Sequence, residues 1–316
     1  MYCPRLILCP VDFSEHARRA LEYAAAFAAL HQARLVVHTA IDPLLAEAAA
    51  IGFHSDYLRD TRADLRAFIS SAAIRQVRWA PEPRVVVTIG AADGQILDVA
   101  DFYHADLIVM GTQGLGGVRK LVFGSTTEHV LRRSEVPVLA VPLGGPPFVT
   151  FEPNGPRFRV KEVLAAVDLT GESQGVASLA ADVARGLHAA LLLTHVVQPV
   201  EATARWRDPR DGATMLHVAT AQAAIEALAS RVEISPPAQH IVVTGHPADA
   251  ITSTAASRHA GLIVIGVGAA GLGSHRPGAT AYRVLCLSDV PVLTVPPARM
   301  RRVADPDAEA TREVVA

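Results

Sequence analysis

The chain has 316 residues, half of them apolar, and carries a formal net charge of −2 at neutral pH. A chain of this length predicts two domains, each with enough apolar residues to bury a substantial core. The near-neutral charge excludes a nucleic-acid binder that relies on a basic surface, and the apolar runs fall short of the roughly 20 residues that a membrane span needs.

In the first half of the chain, short β-branched runs alternate with helical patterns. Their nearly continuous apolar character is typical of a parallel sheet that is covered on both faces. Ser14, which follows Asp12 and precedes Glu15, predicts the cap of the first helix. The predicted elements are strand 6–11, helix 15–30, strand 34–39, a helical stretch within 44–77, strand 84–88, helix 92–103, strand 107–110, helix 125–133 and strand 138–141.

The second half of the chain repeats the first. Asp12 and Asp168 each follow the first strand of their half and lie 156 residues apart. His38 and His195, which lie 157 residues apart, each end a strand, so we expect them to be equivalent. A repeat of this length indicates duplication of a complete domain, since solenoid repeats have periods of roughly 20–50 residues. The strands expected in this half are 163–167, 191–196, 241–244, 262–265 and 292–295.

Strict alternation of strands and helices predicts two tandem doubly wound α/β domains with right-handed crossovers. Each is expected to be Rossmann-like, with a five-stranded parallel sheet of order 3-2-1-4-5 and helices on both faces. Residues 1–142 and 159–297 are predicted to form the two domains. The Pro- and Gly-rich segment 143–158 predicts a linker, and the charged, aperiodic residues 298–316 predict a flexible tail.

Glycines and hydroxyls cluster after the fourth strand of the first half. In open α/β sheets, ligands bind beyond the carboxyl ends of the strands, where the strand order reverses. Gly111 and Gly114 allow main-chain N–H groups to approach a ligand closely. Gly124 is expected to open a helix whose free N–H groups and dipole favour phosphate, with hydroxyls at 125–127 beside them. Asp12, after the first strand, can accept hydrogen bonds from a ribose or an adenine amino group.

The spacing Gly111-x2-Gly114-x9-Gly124-Ser125 resembles the ATP-binding pattern of the universal stress proteins. It occurs together with ILCPVDFSEHA in the first strand and turn, LIVMGT before the loop, and VPVLAVP at the end. The resemblance extends over nearly all of both halves, so the chain is similar to a tandem member of that family. It implies a site for ATP with Mg²⁺ in the first domain. Adenine and ribose would be surrounded by Pro10, Asp12 and Thr39, and the ribose and α-phosphate would be bordered by Met110 and Gly111. The phosphates would be followed by Gln113 and Gly114, and the phosphate tail would be covered by Gly124, Ser125, Thr126 and Thr127.

The loop between the second and third of these glycines also contains two cations, Arg119 and Lys120. Two interpretations of them stay open: they reach a γ-phosphate, or they belong to a solvated loop.

The second half departs from this pattern. Ala166 replaces Pro10, and Ala279 replaces Ser125, which removes one hydroxyl. The loop that follows Gly266 is one residue shorter than its counterpart in the first half. We therefore expect weaker nucleotide binding in the second domain, or none. The candidate residues there are Asp168, Val196, Gly266, Gly268, Gly278 and Thr280.

These features predict an adenine-nucleotide-binding stress or regulatory protein whose bound ATP modulates an unknown protein partner. No catalytic residue or metal ligand is expected, since the chain has neither a P-loop nor a G-x-S-x-G nucleophile motif. Two alternatives stay open: slow ATP hydrolysis or autophosphorylation at Ser125 or Thr126, and a nucleotide-free interaction module. The ligand is also left open among ATP, AMP and cyclic AMP.

The histidines and cysteines allow other interpretations. His38 and His195 suggest a metal or catalytic site, but a strand-end histidine that hydrogen-bonds near the site is the simpler interpretation. Cys9 is expected to be a small buried residue rather than a redox group. The three cysteines form no CxxC motif, and no charged-then-apolar segment opens the chain, so we expect a cytoplasmic protein.

The closing strands of the two halves, VPVLAV and VPVLTV, are apolar and lie at the sheet edge in the predicted order. Such edges invite pairing, and the resemblance implies a dimer contact there. We expect the two domains to form a pseudo-dimer within one chain, and the whole chain to be able to form a homodimer. Neither a membrane nor a nucleic acid is expected as a partner.

Overall fold

The chain divides into two compact units. The N-terminal domain comprises residues 3–159 together with 289–291, and the C-terminal domain comprises 160–288 and 292–316 together with residues 1 and 2. The computed structural model describes residues 2–51, 57–71, 82–112, 124–145, 147–152, 155–199, 207–267, 279–297 and 300. Within these ranges, no helix is both long enough and apolar enough to cross a membrane.

The N-terminal domain is built on a parallel sheet of five strands. These are β1 (Leu6–Pro10), β2 (Arg34–Ile41), β3 (Arg84–Ile89), β4 (Leu107–Gly111) and β5 (Val138–Val141). Their order is β3-β2-β1-β4-β5. Runs of Val, Ile and Leu favour this pleated, covered surface, and β1 and β5 are buried at every residue. The predicted fold class and strand order are confirmed for this domain.

Helices separate these strands. They are α1 (Glu15–His31), α2 (Pro43–Ile51), α3 (Tyr57–Ser71), α4 (Ala92–Phe102) and α5 (Ser125–Arg133). The predicted cap of α1 is confirmed, since the Ser14 hydroxyl oxygen accepts a hydrogen bond from the Ala17 N–H at 3.1 Å. The helical stretch predicted within 44–77 contains two helices, α2 and α3, and residues 52–56 between them lie outside the described part of the chain.

The segment predicted as a linker, residues 143–158, contains an antiparallel hairpin of β6 (Val149–Glu152) and β7 (Gly155–Phe158). The hairpin packs on α1. The Phe148 N–H donates to the Tyr23 hydroxyl at 3.2 Å, and the rings of Phe27 and Phe158 meet edge to face at 5.1 Å. The Pro and Gly content favoured a linker, but the aromatic residues of this segment anchor it to the N-terminal domain.

The C-terminal domain repeats the same architecture. Its strands are β8 (Glu162–Ala166), β9 (Ala190–Val197), β10 (Gln239–Thr244), β11 (Leu262–Gly266) and β12 (Val292–Val295), in the order β10-β9-β8-β11-β12. Its helices are α6 (Ser173–Gly186), α7 (Arg207–Ser230), α8 (Pro247–Ser257) and α9 (Ala279–Leu287). The repeat extends to main-chain conformation, since positive φ angles of residues other than glycine recur in three equivalent pairs: Phe13 and Leu169, Gln32 and His188, His104 and His259.

The strand register shows that His38 and His195 are not equivalent, so that prediction is wrong. Pro10 pairs with His38, whereas Ala166, the counterpart of Pro10, pairs with Thr194. His38 therefore corresponds to Thr194, and Thr39 corresponds to His195. A shift of one residue moves a side chain to the opposite face of the sheet. Consistently, His38 and Thr194 are both fully buried, and His195 is half-buried.

One residue of the predicted flexible tail, Met300, is described, and it is packed rather than loose. Met300 is 2% exposed, and its N–H donates to the Pro296 carbonyl at 3.1 Å. It lies against Gly175 of α6 and Gly266 at the end of β11, where a Cβ on either glycine would come within 3.0 Å of it. The other tail residues, 298–299 and 301–316, lie outside the described part of the chain.

Replacing Gly175 by alanine should destabilise the C-terminal domain, because the new Cβ would overlap the main chain of Met300. We expect a loss of about 1–3 kcal/mol in the free energy of unfolding, typical of overpacking. This loss should appear even though alanine favours a helix over glycine by roughly 0.5–1 kcal/mol. Urea unfolding of the full chain measures the change.

The matched control is Gly94→Ala in α4, where nothing lies within 4 Å of the added Cβ. This variant should be unchanged or more stable by up to about 1 kcal/mol. If both variants are equally stable, Met300 does not make the close contact.

Candidate functional site

The loops that follow β1 and β4 leave the sheet side by side. The two strands pair directly, with Ile7 opposite Leu107 and Leu8 opposite Ile108. The strand order reverses at this point, because the chain runs from β1 to β2 on one side and from β4 to β5 on the other. The carboxyl edge at such a reversal is where open α/β sheets bind ligands. The residues predicted for the N-terminal site that follow β1 and β4 therefore belong to one edge.

A strained turn follows β1. The Asp12 carboxylate accepts hydrogen bonds from the Ser14 N–H at 3.1 Å and from the Ser14 hydroxyl at 2.5 Å. Phe13, between them, has a φ of 63°, a conformation that bulky residues rarely adopt. Such strain costs of the order of 1–3 kcal/mol and persists only where the surroundings enforce it. The turn therefore holds the Asp12 carboxylate in a defined place at the edge of the sheet.

The C-terminal domain has the same turn. Asp168 accepts from the Thr170 N–H at 3.1 Å, the Thr170 hydroxyl at 2.8 Å and the Ser173 hydroxyl at 2.7 Å. Leu169 takes the place of Phe13, with a φ of 61°. Partial desolvation would raise the pKa of Asp168, but the hydrogen bonds from Ser173 and Thr170 outweigh this and lower it. Asp168 is thus held in place by three hydrogen bonds from its own turn.

Gly111 has a packing role at the end of β4. A Cβ at this position would lie 2.9 Å from the His16 Cβ and 3.0 Å from the His16 main-chain carbonyl. The absence of a side chain therefore lets the first turn of α1 lie directly against the end of the strand. This contact accounts for glycine here independently of the predicted contact with ribose and the α-phosphate.

His16 belongs to this edge, although the sequence analysis did not select it. Its Nδ1 atom is buried and has no hydrogen-bond partner among the described residues. Desolvation lowers the pKa of His16, and the Asp12 carboxylate acts in the opposite direction. His16 is the second residue of α1, and it belongs to no spacing pattern in the sequence, so no local signal pointed to it.

Helix α5 begins at the same edge. The Gly124 N–H donates to the Thr112 carbonyl at 3.0 Å, so the start of the helix is fixed just beyond β4. Gly124 is the N-cap and supplies no side-chain cap. The N–H groups of residues 125–127 have no acceptor within the helix, because the first intrahelical bond of this turn runs from Glu128 to Gly124. A helix start of this kind favours an anion.

The three hydroxyls at the start of α5 differ in their surroundings. The Thr127 hydroxyl donates to the Gly111 carbonyl at 3.0 Å, and Thr127 is 4% exposed. Ser125 is exposed and Thr126 is half-buried. Thr127 therefore ties α5 to the end of β4, which leaves Ser125 and Thr126 as the hydroxyls nearer the surface.

The remaining predicted residues of the N-terminal site divide into two groups. Pro10, Thr39 and Met110 are described, and each is buried at or near the carboxyl end of its strand. Gln113, Gly114, Arg119 and Lys120 lie outside the described residues.

The equivalent edge of the C-terminal domain is filled differently. Gly266, the counterpart of Gly111, faces Met300. Ala281 stands at the position of Thr127, so this position offers no hydroxyl to the end of β11. By strand register, His195 rather than Val196 is the counterpart of Thr39. Thr280 is exposed, and Gly268 and Gly278 lie outside the described residues.

Two buried titratable groups lie close to the N-terminal site. His38 is fully buried, its Nε2 atom is 2.9 Å from the Thr88 hydroxyl, and burial lowers its pKa to about 4. Burial raises the pKa of the Cys9 thiol far above its usual range, so the reactive thiolate is suppressed. His195 instead donates from Nδ1 to the Val167 carbonyl at 2.8 Å. Across the described part of the chain, no three potential metal ligands cluster.

The comparison with protein families agrees with the repeat. The profile of the universal stress protein family matches residues 4–142 and again residues 159–296. The chain belongs to the universal stress protein family. Its tandem organisation follows from the two matches, each of which covers one complete α/β domain.

Relatives of this universal stress protein match one domain at a time. A universal stress protein of Thermus aquaticus is 36% identical over 137 residues, which are 43% of this chain and 98% of the relative. The universal stress protein Sll1654 of Synechocystis is 30% identical over 138 residues, 44% of this chain and 85% of the relative.

Two solved structures match both domains at once. A putative universal stress protein from Pseudomonas aeruginosa has a TM-score of 0.63 and 19% identity, covering 96% of this chain and 97% of its own. One from Archaeoglobus fulgidus has a TM-score of 0.56 and 21% identity, covering 92% and 96%. These likenesses establish the fold. A universal stress protein in complex with cAMP is 28% identical and covers 44% of this chain and 97% of its own, with a TM-score of 0.31.

Replacing Thr127 by valine should destabilise this universal stress protein, because the Gly111 carbonyl would lose its hydroxyl donor. A typical hydrogen bond contributes about 0.5–1.5 kcal/mol, and we expect a loss of that size in the free energy of urea unfolding. Ser125→Ala is the control, since it removes an exposed hydroxyl two residues away and should change stability by less than about 0.5 kcal/mol. Equal losses in the two variants would contradict the assignment.

The stability of the protein should fall as the pH drops from 7 to 4, in part because of His38. The pKa of His38 is about 4 in the folded protein and 6.5 ordinarily, so the unfolded chain takes up the proton first. Unfolding is therefore favoured progressively below pH 6.5, by about 3 kcal/mol once the pH falls below 4. Urea unfolding at several pH values measures this slope.

The variant His38→Thr introduces the residue that the C-terminal domain has at the equivalent position, Thr194. In this variant, the part of the pH dependence of stability that comes from His38 should be absent. His217→Gln, at an exposed position of α7, should retain the slope of the parent protein. A His38→Thr protein with the parent's pH dependence would show that His38 is not the group responsible.

Proposed function

We propose that this universal stress protein binds ATP, with Mg²⁺, at the carboxyl edge of β1 and β4 in its N-terminal domain. The bound nucleotide modulates the interaction of the chain with a protein partner. The observation that carries the proposal is the start of α5, which is fixed against the end of β4 through Gly124 and has no side-chain cap. This start adjoins the edge at which the Asp12 turn leaves the sheet.

The electrostatics of the site suit a phosphorylated nucleotide. The start of α5 combines first-turn N–H groups that lack intrahelical acceptors, a favourable helix dipole and the exposed hydroxyl of Ser125. At the other end of the site, the Asp12 carboxylate is held by its turn and can accept from a ribose or an adenine amino group. Mg²⁺ would enter with the phosphates and water as its ligands, which is usual for this ion.

We assign one nucleotide to each chain. In the C-terminal domain, Ala279 replaces Ser125 at the helix start and Ala281 replaces Thr127 behind it. Met300 packs against Gly266 at the end of β11. These three differences all reduce what the second edge can offer to a nucleotide.

The proposal is one of binding rather than catalysis. A ligand shifts a conformational equilibrium only by contacting one state better than another. ATP that bridges the Asp12 turn and the start of α5 would favour the state in which both are in place, and thereby change the affinity for a partner. AMP and cAMP belong in the same titrations, since one related structure is a complex with cAMP.

Gly124→Asp should abolish ATP binding without unfolding the protein. The φ of −63° and ψ of 134° at Gly124 suit an ordinary residue, and aspartate is a strong N-cap that interacts favourably with the helix dipole. Its charge, however, would repel phosphate at the helix start. We expect calorimetric titration with Mg²⁺ and ATP to give one site in the parent protein and at least a tenfold weaker affinity in this variant.

Gly124→Asn is the matched control, because it caps the helix with the same shape and no charge. It should bind ATP more tightly than Gly124→Asp, and adenosine should bind both variants alike. Two sites in the parent protein would contradict the assignment of one nucleotide to each chain.

The titration also separates the proposal from its two alternatives. Production of ADP by the pure protein, abolished in Gly124→Asp, would establish the ATPase alternative. A parent protein that binds no adenine nucleotide and releases none on denaturation would overturn the proposal, and firm dimerisation of that protein would favour an interaction module.

A further inference from the structure

The two domains differ at one position of the site that the glycine pattern does not include. The turns after β1 and β8 are equivalent: Asp12 corresponds to Asp168, and Phe13 corresponds to Leu169, with matching φ angles. No insertion separates either turn from the helix that follows it, α1 or α6. Four residues after each aspartate stand His16 in the N-terminal domain and Glu172 in the C-terminal domain. A group that can carry a positive charge is thus replaced by one that carries a negative charge.

His16 lies between the two parts of the N-terminal site. Its Cβ and main chain come within 3.0 Å of the Cβ position at Gly111, where β4 ends, and its ring interacts electrostatically with Asp12 after β1. Its Nδ1 atom is buried and makes no hydrogen bond to any described residue. A buried nitrogen without a partner is costly, and it therefore points to a group that is supplied by a ligand or by water.

Among the described residues, Asp12 is the charged group that acts on the His16 ring. Gly111, packed against it from β4, carries no side chain. On α1 itself, Glu15 forms an ion pair with Arg18 at 3.3 Å, and the Arg19 guanidinium lies 5.8 Å from the centre of the Tyr23 ring. Because the ring is partly desolvated, it is mainly neutral in the protein alone at neutral pH.

We propose that His16 is the residue through which the N-terminal domain senses the phosphates of a nucleotide, and that it takes up a proton when they bind. This inference rests on the proposed function and deepens it. The imidazolium form would balance the negative charge of the phosphates. Glu172, at the same position in the other domain, would repel the same phosphates and so favours a nucleotide-free second site.

The linkage between proton and nucleotide has a definite sign. Phosphate binding raises the pKa of His16 above its value in the protein alone, so the complex holds more protons than its parts. The affinity for ATP therefore increases as the pH falls from 8 to 6, by at most tenfold per pH unit for one proton. ATP itself titrates in this range, and the contribution of His16 is thus the difference between the parent protein and a variant without the imidazole.

The experiment compares ATP and adenosine in the parent protein, His16→Gln and His16→Glu by calorimetry at pH 6 and pH 8. Two buffers with different ionisation enthalpies give the number of protons taken up. We expect His16→Gln to take up fewer protons than the parent and to lose the excess pH dependence. His16→Glu should bind ATP at least tenfold more weakly, while both variants bind adenosine within about twofold of the parent.

Glu172→Gln is the matched control at the equivalent position, and it should leave the affinity of the first site unchanged. Urea unfolding of each variant establishes that it is folded. A His16→Gln protein with the parent's proton uptake, or a His16→Glu protein with the parent's affinity for ATP, would overturn the role of His16 alone. A folded parent protein that binds no ATP would overturn the proposed function and this inference with it, and the two failures are therefore distinguishable.

Discussion

Direct pairing of β1 with β4 is the constraint on which the candidate site depends. It joins strands that are separated by about a hundred residues of chain, and it places the Asp12 turn and the start of α5 at one edge of the sheet. Close packing around this pair maintains the arrangement: Gly111 admits the first turn of α1, and Thr127 ties α5 back to the end of β4. A change at either residue would therefore act on the site through its support.

In each domain, the segment that follows the last strand packs on the first helix, α1 or α6. In the N-terminal domain a hairpin packs on α1 through aromatic residues such as Phe148 and Phe158. In the C-terminal domain Met300 reaches α6, where Gly175 leaves room for its main chain. Duplication preserved the sheets and the strained turns, whereas these coverings and the charge at His16 and Glu172 diverged. The asymmetry between the two edges thus arises from side chains on a shared scaffold.

Much of the fold could be predicted from the sequence because its causes are local. Apolar runs, the cap at Ser14 and the glycine at Gly124 give each element its type and its limits, and α5 spans the nine residues predicted for it. The repeat of domain length indicated two copies, and the glycine spacing with its flanking strands indicated the family. These signals lie within a few residues of one another, or recur at a fixed distance along the chain.

Other features were decided only by tertiary contacts. The register showed that His38 corresponds to Thr194, because equivalence at a strand end depends on pairing across strands and changes with a single residue. His16 and Met300 contribute through neighbours that are distant in sequence, so neither stood out by spacing or composition. The sequence by itself therefore determined the family, the elements and the glycine framework of the site. The tertiary structure alone decided which of those glycines serve close packing, and which side chains face each edge.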